Sequence, residues 1–318
     1  MTIRSVCLIG GSGFIGRHVA ELLSAQGIAV RVPSRIREHA KEALILLPTV
    51  EVVQTDVHDP TALSRVIAGC EAVINCVGVL HDHPRGTFRR NHEELPAKIV
   101  AACREAGVSR LVHISALGAS TQGPSEYLRS KARGEAEIMK ARSHGIRTTI
   151  FRPSVVFGRG DSFLTLFAGL VTLPTPVIPL AGAGARFQPV FVEDLARAVT
   201  RLLDEPAADG QCQELCGPRV YTLRELVEIT AALAGVRRRI LPLPGPLAWL
   251  QAFALEHLPG RLMSRDNLDS MRVDNVCSCA FPDILGFAPT PLEAVAPAYL
   301  GQRSERARYN GMRARAGR

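Results

Sequence analysis

Tyr127 and Lys131 stand four residues apart, so on a helix they share one face, one turn from each other. The chain holds only four Tyr and four Lys in 318 residues, and chance would produce this spacing about 0.05 times. An ammonium one turn from a phenol stabilises the phenolate, which prepares the hydroxyl to exchange a proton with a carbonyl or alcohol during hydride transfer. Lys131 could also hold a ribose. A second set of chemically suggestive residues is Gly10-Gly11-Ser12-Gly13-Phe14-Ile15-Gly16, which follows the apolar run SVCLI and opens a helical pattern. In that context Gly10 permits a tight turn, Gly13 lets a pyrophosphate approach the backbone, and Gly16 lets the helix pack on the strand. The helix N-terminus then offers unpaired N–H groups and the positive end of its dipole to phosphates.

A dinucleotide site selective for NAD carries an acid about 20 residues further on, where it holds the ribose hydroxyls. No Asp or Glu occurs between Glu21 and Glu38, and Ser34, Arg35 and Arg37 follow the second strand-like run instead. A guanidinium there suits the 2′-phosphate of NADP. NADP(H) is the expected cofactor, with NAD(H) as the alternative. Asp56, after the third run, either receives the adenine amino group or serves as a plain turn residue.

The elements that must position these groups are legible as strand-like runs at 5–10, 29–33, 50–55, 72–77, 110–115 and 148–153, separated by amphipathic helical patterns. Several helices end at a glycine (Gly27, Gly69, Gly107, Gly145), where a left-handed cap turns the chain toward the next strand. The alternation predicts parallel βαβ units and an α/β fold, a Rossmann-type doubly wound parallel sheet over residues 1–153, with 188–216 returning to it. From 154 to 300 the pattern loosens into Pro- and Gly-rich connections around shorter helices, one opened by a capping box at Thr222 and Glu225. This predicts a smaller C-terminal lobe that supplies the substrate-side wall of a cleft.

The formal charge of +8 would suit a nucleic-acid binder, but six arginines against Glu305 in residues 301–318 supply five of those charges. The excess is a basic tail, either solvated or touching an anionic membrane or a protein partner, and no nucleic acid is expected. Eight scattered cysteines form no pair of CxxC couples, which predicts buried small hydrophobes in a reducing compartment. His81 and His83 lack further ligands, so no metal site is expected. Residues 163–185 and 240–255 carry no charged side chain. Pro174, Pro176 and Pro179 would break a span in the first, which reads as a helix and a Pro-rich loop. The second is 16 residues long and reads either as a docked core helix or as an interfacial one. The opening MTIRSVCLIGG enters a strand at once, which predicts a cytoplasmic protein, with the inner face of the membrane as an alternative address.

Together, GGSGFIG, VVQTDV, Asn75 to Gly78 (NCVG), Asn91, HISALGAS, YLRSK, RPSVVFG and QPVFVEDLA resemble the extended or atypical short-chain dehydrogenases/reductases, in the family's order from residue 5 to about 235. HISALGAS, YLRSK and RFQPVFVEDLA are similar, more narrowly, to the nucleotide-binding accessory subunits of respiratory complex I (NADH:ubiquinone oxidoreductase) and their bacterial relatives. The resemblance implies cofactor contacts by Gly10, Gly13, Phe14, Ile15, Gly16, Arg35, Asp56, Val57, Val77, Gly78, Ser115, Tyr127, Lys131 and Pro153, with Tyr127 and Lys131 as the catalytic pair if there is turnover. It also exposes a departure. The extended enzymes place a Ser or Thr just past the fifth strand to donate a hydrogen bond to the reacting oxygen, and here Leu117 falls near that slot, with Ser115 two residues earlier at the strand end and Ser120, a candidate substitute, three later. Two functions follow: a cofactor-loaded accessory or assembly protein linked to respiratory NADH:quinone oxidoreductase, or an active NADP-dependent reductase, epimerase or dehydratase. The second would act on a sugar nucleotide, a quinone precursor or another lipid-like carbonyl compound.

Overall fold

A computed structural model describes residues 3–82, 84–257 and 262–301. His83 and residues 302–318 of the basic tail lie outside the described residues. In chain order the first elements are β1 (Ser5–Ile9), α1 (Phe14–Ala25), β2 (Ala29–Ser34), α2 (Arg37–Leu44), β3 (Val50–Gln54), α3 (Pro60–Ile67) and β4 (Ala72–Asn75). A π-helical turn (Arg89–Glu94) then leads into α4 (Leu95–Ala106), β5 (Arg110–Ile114), α5 (Glu126–Met139) and β6 (Arg147–Pro153). Next come β7 (Val156–Phe157), α6 (Phe163–Val171), β8 (Val177–Leu180), β9 (Arg186–Phe187), β10 (Val190–Phe191), α7 (Val192–Arg201) and β11 (Gln211–Leu215). The chain ends its described part with β12 (Tyr221–Thr222), α8 (Leu223–Leu233), β13 (Arg239–Pro242), α9 (Gly245–His257), α10 (Arg265–Ser270) and α11 (Leu292–Leu300).

The described residues form two compact units, the first drawn from 3–153, 192–215 and 282–287, the second from 154–191, 216–257, 262–281 and 288–301. In the first, seven parallel strands lie in the order β11-β6-β5-β4-β1-β2-β3, the doubly wound arrangement expected from the alternating pattern. The inner strands β1, β4, β5 and β6 are buried almost throughout because helices cover both faces, while the edge strands β3 and β11 are partly exposed. Leu63, Ile67, Leu95, Ile99 and Ile138 pack on one face from α3, α4 and α5, while α1 and α7 pack together and bury Val19, Leu23, Leu195 and Val199. Gly27, Gly69, Gly107 and Gly145 all adopt positive φ at the predicted helix ends. Strand order reverses between β1 and β4, and Ile9 sits opposite Asn75, so the loops leaving these two strands emerge side by side.

The second unit has its own core of Phe157, Leu164, Phe167, Leu180, Tyr221, Leu226 and Leu292. The capping box forms as expected: the Thr222 hydroxyl accepts from Glu225 N–H while the Glu225 carboxylate accepts from Thr222 N–H. Three readings are corrected here. Cys216 and Cys277, 61 residues apart, are joined in a disulfide, and Cys212 and Cys279 are exposed, so the cysteines are not uniformly buried small hydrophobes. The Pro-rich segment after α6 is not all loop, because Val177–Leu180 pairs in parallel with β13; there Pro179 sits exposed on a short two-stranded sheet. The 240–255 stretch is not a docked core helix, since α9 buries only Ala248 and Ala252.

Candidate functional site

Every predicted site residue lies in the first unit, at the ends of β1 to β6 or on α1 and α5. The glycines divide by what surrounds them. Gly10 has φ +80°, and a Cβ there would lie 3.1 Å from Val77 N, where the loops after β1 and β4 meet. A Cβ on Gly16 would come 2.1 Å from the Gly10 carbonyl oxygen and 2.6 Å from Gly11 Cα, so only glycine lets α1 rest on the turn. Gly13 differs, being exposed, with its nearest obstacle the Gly10 carbonyl at 3.2 Å. It is open to an approaching ligand rather than pressed by protein. No side chain caps α1 and no acid lies in its first turn. Its N–H groups are therefore left for an anion, which fits a pyrophosphate.

Phe14 and Ile15 are half-buried on the first turn of α1. Val57 and Val77 pack against the sheet core and line the ends of β3 and β4. Asp56 uses Oδ1 to accept from His58 N–H, so it makes a turn of its own, as one of the two readings held. Arg35 is exposed just past β2, and among the described residues no hydrogen bond or ion pair engages its guanidinium.

The second half of the site hangs on α5. Ser125 caps it by accepting from Leu128 N–H, and Tyr127 and Lys131 lie one turn apart as the spacing predicts. Lys131 is buried and donates to the Ile114 carbonyl at the end of β5, 3.3 Å away. A Cβ on Gly78 would lie 3.2 Å from Lys131 Nζ, so the ammonium touches the loop after β4 as well. Burial lowers the Lys131 pKa to about 8, with Glu135 and Cys76 opposing the shift. The half-buried Tyr127 ring meets Phe88 and His92 edge-on, with centroids 5.8 and 5.7 Å away.

Of the three positions after β5, Leu117 is buried and apolar, and its N–H donates to the Pro153 carbonyl. Ser120 is exposed and its hydroxyl accepts from Gln122 N–H in a turn. Ser115 is buried beside Ile114, and among the described residues its hydroxyl has no partner, the kind of orphaned polar atom that a bound molecule would satisfy.

Several contributing residues escaped sequence reasoning. Gly134, inside α5, would place a Cβ 1.9 Å from the His92 carbonyl, so it permits the close crossing of α5 over the π-helical turn. A glycine in mid-helix, unfavourable by about 1 kcal/mol against Ala, was its only trace in the sequence. Gly11 likewise clears the Val32 side chain, which a Cβ would meet at 2.8 Å. His92 and His113 are both buried near Lys131: His92 bonds Ser130 and Val79, and His113 bonds Asn75. Burial and the nearby Lys131 push their pKa values down to about 2 and about 3. Among the described residues no cluster of His, Cys, Asp and Glu could hold a metal ion.

Sheet order, glycine turn at the reversal point and uncapped α1 define a dinucleotide-binding protein of the Rossmann class. Residues 6–216 match the NAD dependent epimerase/dehydratase family, and the chain belongs to it. Over 296 residues it is 31% identical to the mitochondrial NADH dehydrogenase (ubiquinone) 1 alpha subcomplex subunit 9 of Mus musculus, spanning 90% of this chain and 77% of that one. It is 29% identical over 243 residues to the ceramide reductase of Caulobacter vibrioides, spanning 76% and 74% of the two chains. The UDP-glucose 4-epimerase of Thermus thermophilus in complex with NAD shares the fold, with TM-score 0.64, 22% identity and coverage of 84% and 99%. The cofactor of the family is a nicotinamide dinucleotide.

Proposed function

We propose that this chain is a nucleotide-loaded accessory or assembly protein linked to respiratory NADH:quinone oxidoreductase, in which the bound dinucleotide stabilises the fold and does not turn over. Leu117 carries this reading: a buried apolar side chain fills the slot from which a hydroxyl would polarise a reacting oxygen. The similarity to the mouse complex I subunit across nine-tenths of the chain supports it. The bound nucleotide is NADP(H), which Arg35 favours through its free guanidinium. The first unit provides the contacts, from Gly10 to Gly16, Arg35, Asp56, Val57, Val77, Gly78, Ser115, Tyr127, Lys131 and Pro153, and the protein works at the inner face of the membrane beside respiratory-chain partners.

A second reading, an active reductase of a lipid-like carbonyl compound, is favoured by one observation: Tyr127 and Lys131 are both in place, and Lys131 is desolvated to a pKa of about 8. The similarity to the Caulobacter ceramide reductase supports it. In that reading the bound dinucleotide supplies hydride. Tyr127 donates its hydroxyl proton to the carbonyl oxygen, Lys131 offsets the phenolate charge, and Ser115, buried just past β5, offers its hydroxyl to the same oxygen.

Replacement in a deletion strain separates the two. The accessory reading expects loss of assembled complex without the protein, rescue by Tyr127→Phe, and no rescue by Gly13→Val. Normal complex levels in the deletion strain would overturn it. NADPH consumption by the wild type with a lipid ketone, abolished in Tyr127→Phe at unchanged nucleotide affinity, would establish the second.

A further inference from the structure

The helix α9 is built inside out. A surface helix turns its large apolar residues to the core and its small or polar ones to water. Here the residues that face the protein are Ala248, 4% exposed, and Ala252, 0% exposed. Gln251 between them anchors the helix to β8, donating to the Pro179 carbonyl and accepting from Ala181 N–H. The outward residues are Leu247, Trp249, Leu250 and Phe253, exposed by 51%, 49%, 56% and 38%. Leu241 on β13 and Leu173 after α6 are each 49% exposed as well. Half of the large exposed hydrophobics among the described residues thus belong to this one unit between 173 and 253, four of them within seven residues. An uncovered concentration of this kind marks a surface that meets something apolar.

Its charge says what that is. Arg237, Arg238 and Arg239 precede the apolar stretch, and Glu256 is the single acid between residues 236 and 257. Arg265 neutralises Glu256 at 2.9 Å, and its guanidinium also lies over the stacked Trp249 and Phe253 rings, 5.6 and 5.2 Å from their centroids. Arg238 donates to the carbonyls of Val171 and Leu173, which ties the basic run to the exposed leucine. Arg237 and Arg239 are exposed and have no ion pair among the described residues. The acids of α10, Asp266 and Asp269, are followed by Arg272, which pairs with Asp269. Aromatic and leucine side chains bordered by arginines match the boundary between acyl chains and phosphate headgroups. A helix of 13 residues is too short to cross a bilayer, and no described helix is long and apolar enough to do so.

We propose that α9, with the β13 segment, is an interfacial anchor that lays Leu247, Trp249, Leu250 and Phe253 into the surface of a bilayer containing anionic phospholipid, with Arg237 and Arg239 on the headgroup phosphates. This deepens the membrane-side address of the proposed function and rests on it only for its place in the cell. The anchor is read by vesicle binding and the proposed function by complex assembly, so the two can fail separately.

Trp249 is the only tryptophan of the chain, so its emission reports on the patch without a label. Full-length protein is titrated with vesicles of phosphatidylcholine alone, or of phosphatidylcholine with phosphatidylglycerol, and followed by flotation and tryptophan fluorescence. The expected result is flotation with the anionic vesicles, a blue shift of Trp249 emission, and weakening by salt. Leu250→Glu should lower partitioning about tenfold or more. Arg237→Gln and Arg239→Gln should each lower it about fivefold and reduce the preference for anionic lipid. Nucleotide affinity, unchanged in all three, serves as the folding control. Absence of vesicle binding would overturn the proposal. So would flotation with unshifted emission, which places attachment elsewhere such as the basic tail, or emission already blue in buffer with a dimer in sedimentation, which gives the patch to a second copy.

Discussion

Acid should begin to destabilise this protein above the pH at which carboxylates protonate, because His92 and His113 cannot accept a proton where they sit. The Ser130 hydroxyl donates to the Tyr127 carbonyl, so it accepts from His92 Nδ1–H, and His92 Nε2 must then be the acceptor for Val79 N–H. A proton on Nε2 would set donor against donor. Asn75 Oδ1 accepts from Val77 N–H, which turns the amide NH2 toward His113 Nδ1 and makes that nitrogen an acceptor too. Folded pKa values of about 2 and about 3 lie below the ordinary value of 6.5 for the unfolded chain. Below pH 6.5 the unfolded state binds more protons, so stability falls as pH falls and continues to fall to about pH 3. At pH 5 each histidine removes about 2 kcal/mol, and the pair about 4, a large part of a typical net stability of about 5–15 kcal/mol. His18 and His58, also lowered by burial, act in the same direction. Urea midpoints followed by circular dichroism at pH 8, 7, 6 and 5 measure the effect. His113→Gln should reduce the slope between pH 6.5 and 5 by one proton. Equal midpoints at pH 7 and 5, or an unaltered slope in the variant, would refute the assignment of two neutral buried imidazoles.

Gly16→Ala should destabilise the fold by about 3 kcal/mol through its clash with the Gly10 carbonyl, whereas Gly13→Val should keep the fold and lose nucleotide; thermal melts and calorimetry of both variants check the division. Arg35→Ala should weaken NADPH binding by about 1.5–3 kcal/mol and leave NADH nearly unchanged, and equal losses for both would place Arg35 outside the site. Cys216→Ser should remove about 4 kcal/mol from the oxidised protein, from a closed loop of 61 residues, and nothing from the protein assayed in reductant.

The strands β1 to β6 were legible because each carries a short run rich in apolar and β-branched residues, and the glycine turn because its spacing follows directly from a strand. Tyr127 and Lys131 were legible because their relation is local, one turn of one helix. What the sequence hid depends on partners distant in the chain. The bonds of His92 to Ser130 and of His113 to Asn75 each span 38 residues, and the sulfurs of Cys216 and Cys277 meet across 61. The strand β11, QCQEL, is polar and lies at the sheet edge, so it carries no run of apolar residues to announce it. For α9 the composition was visible but not its orientation, since a helix apolar on every side has no periodicity from which to tell its inner face.

The edge position of β11 has a consequence for the order in which the protein can be made. Its only partner, β6, ends at Pro153, and the chain then runs through 38 residues of the second unit before α7 and β11 return to complete the sheet. Until α7 arrives, the guanidinium of Arg110, fully buried in the finished protein, lacks the carbonyls of Leu202 and Leu203 that accept from Nε and Nη2. The emerging chain therefore holds an open strand edge and a cation left with the Thr149 hydroxyl, but neither carbonyl, to accept from it throughout the synthesis of those residues. The sheet is complete only when residue 215 has left the exit tunnel, and the first unit only when residues 282–287, which also belong to it, have followed.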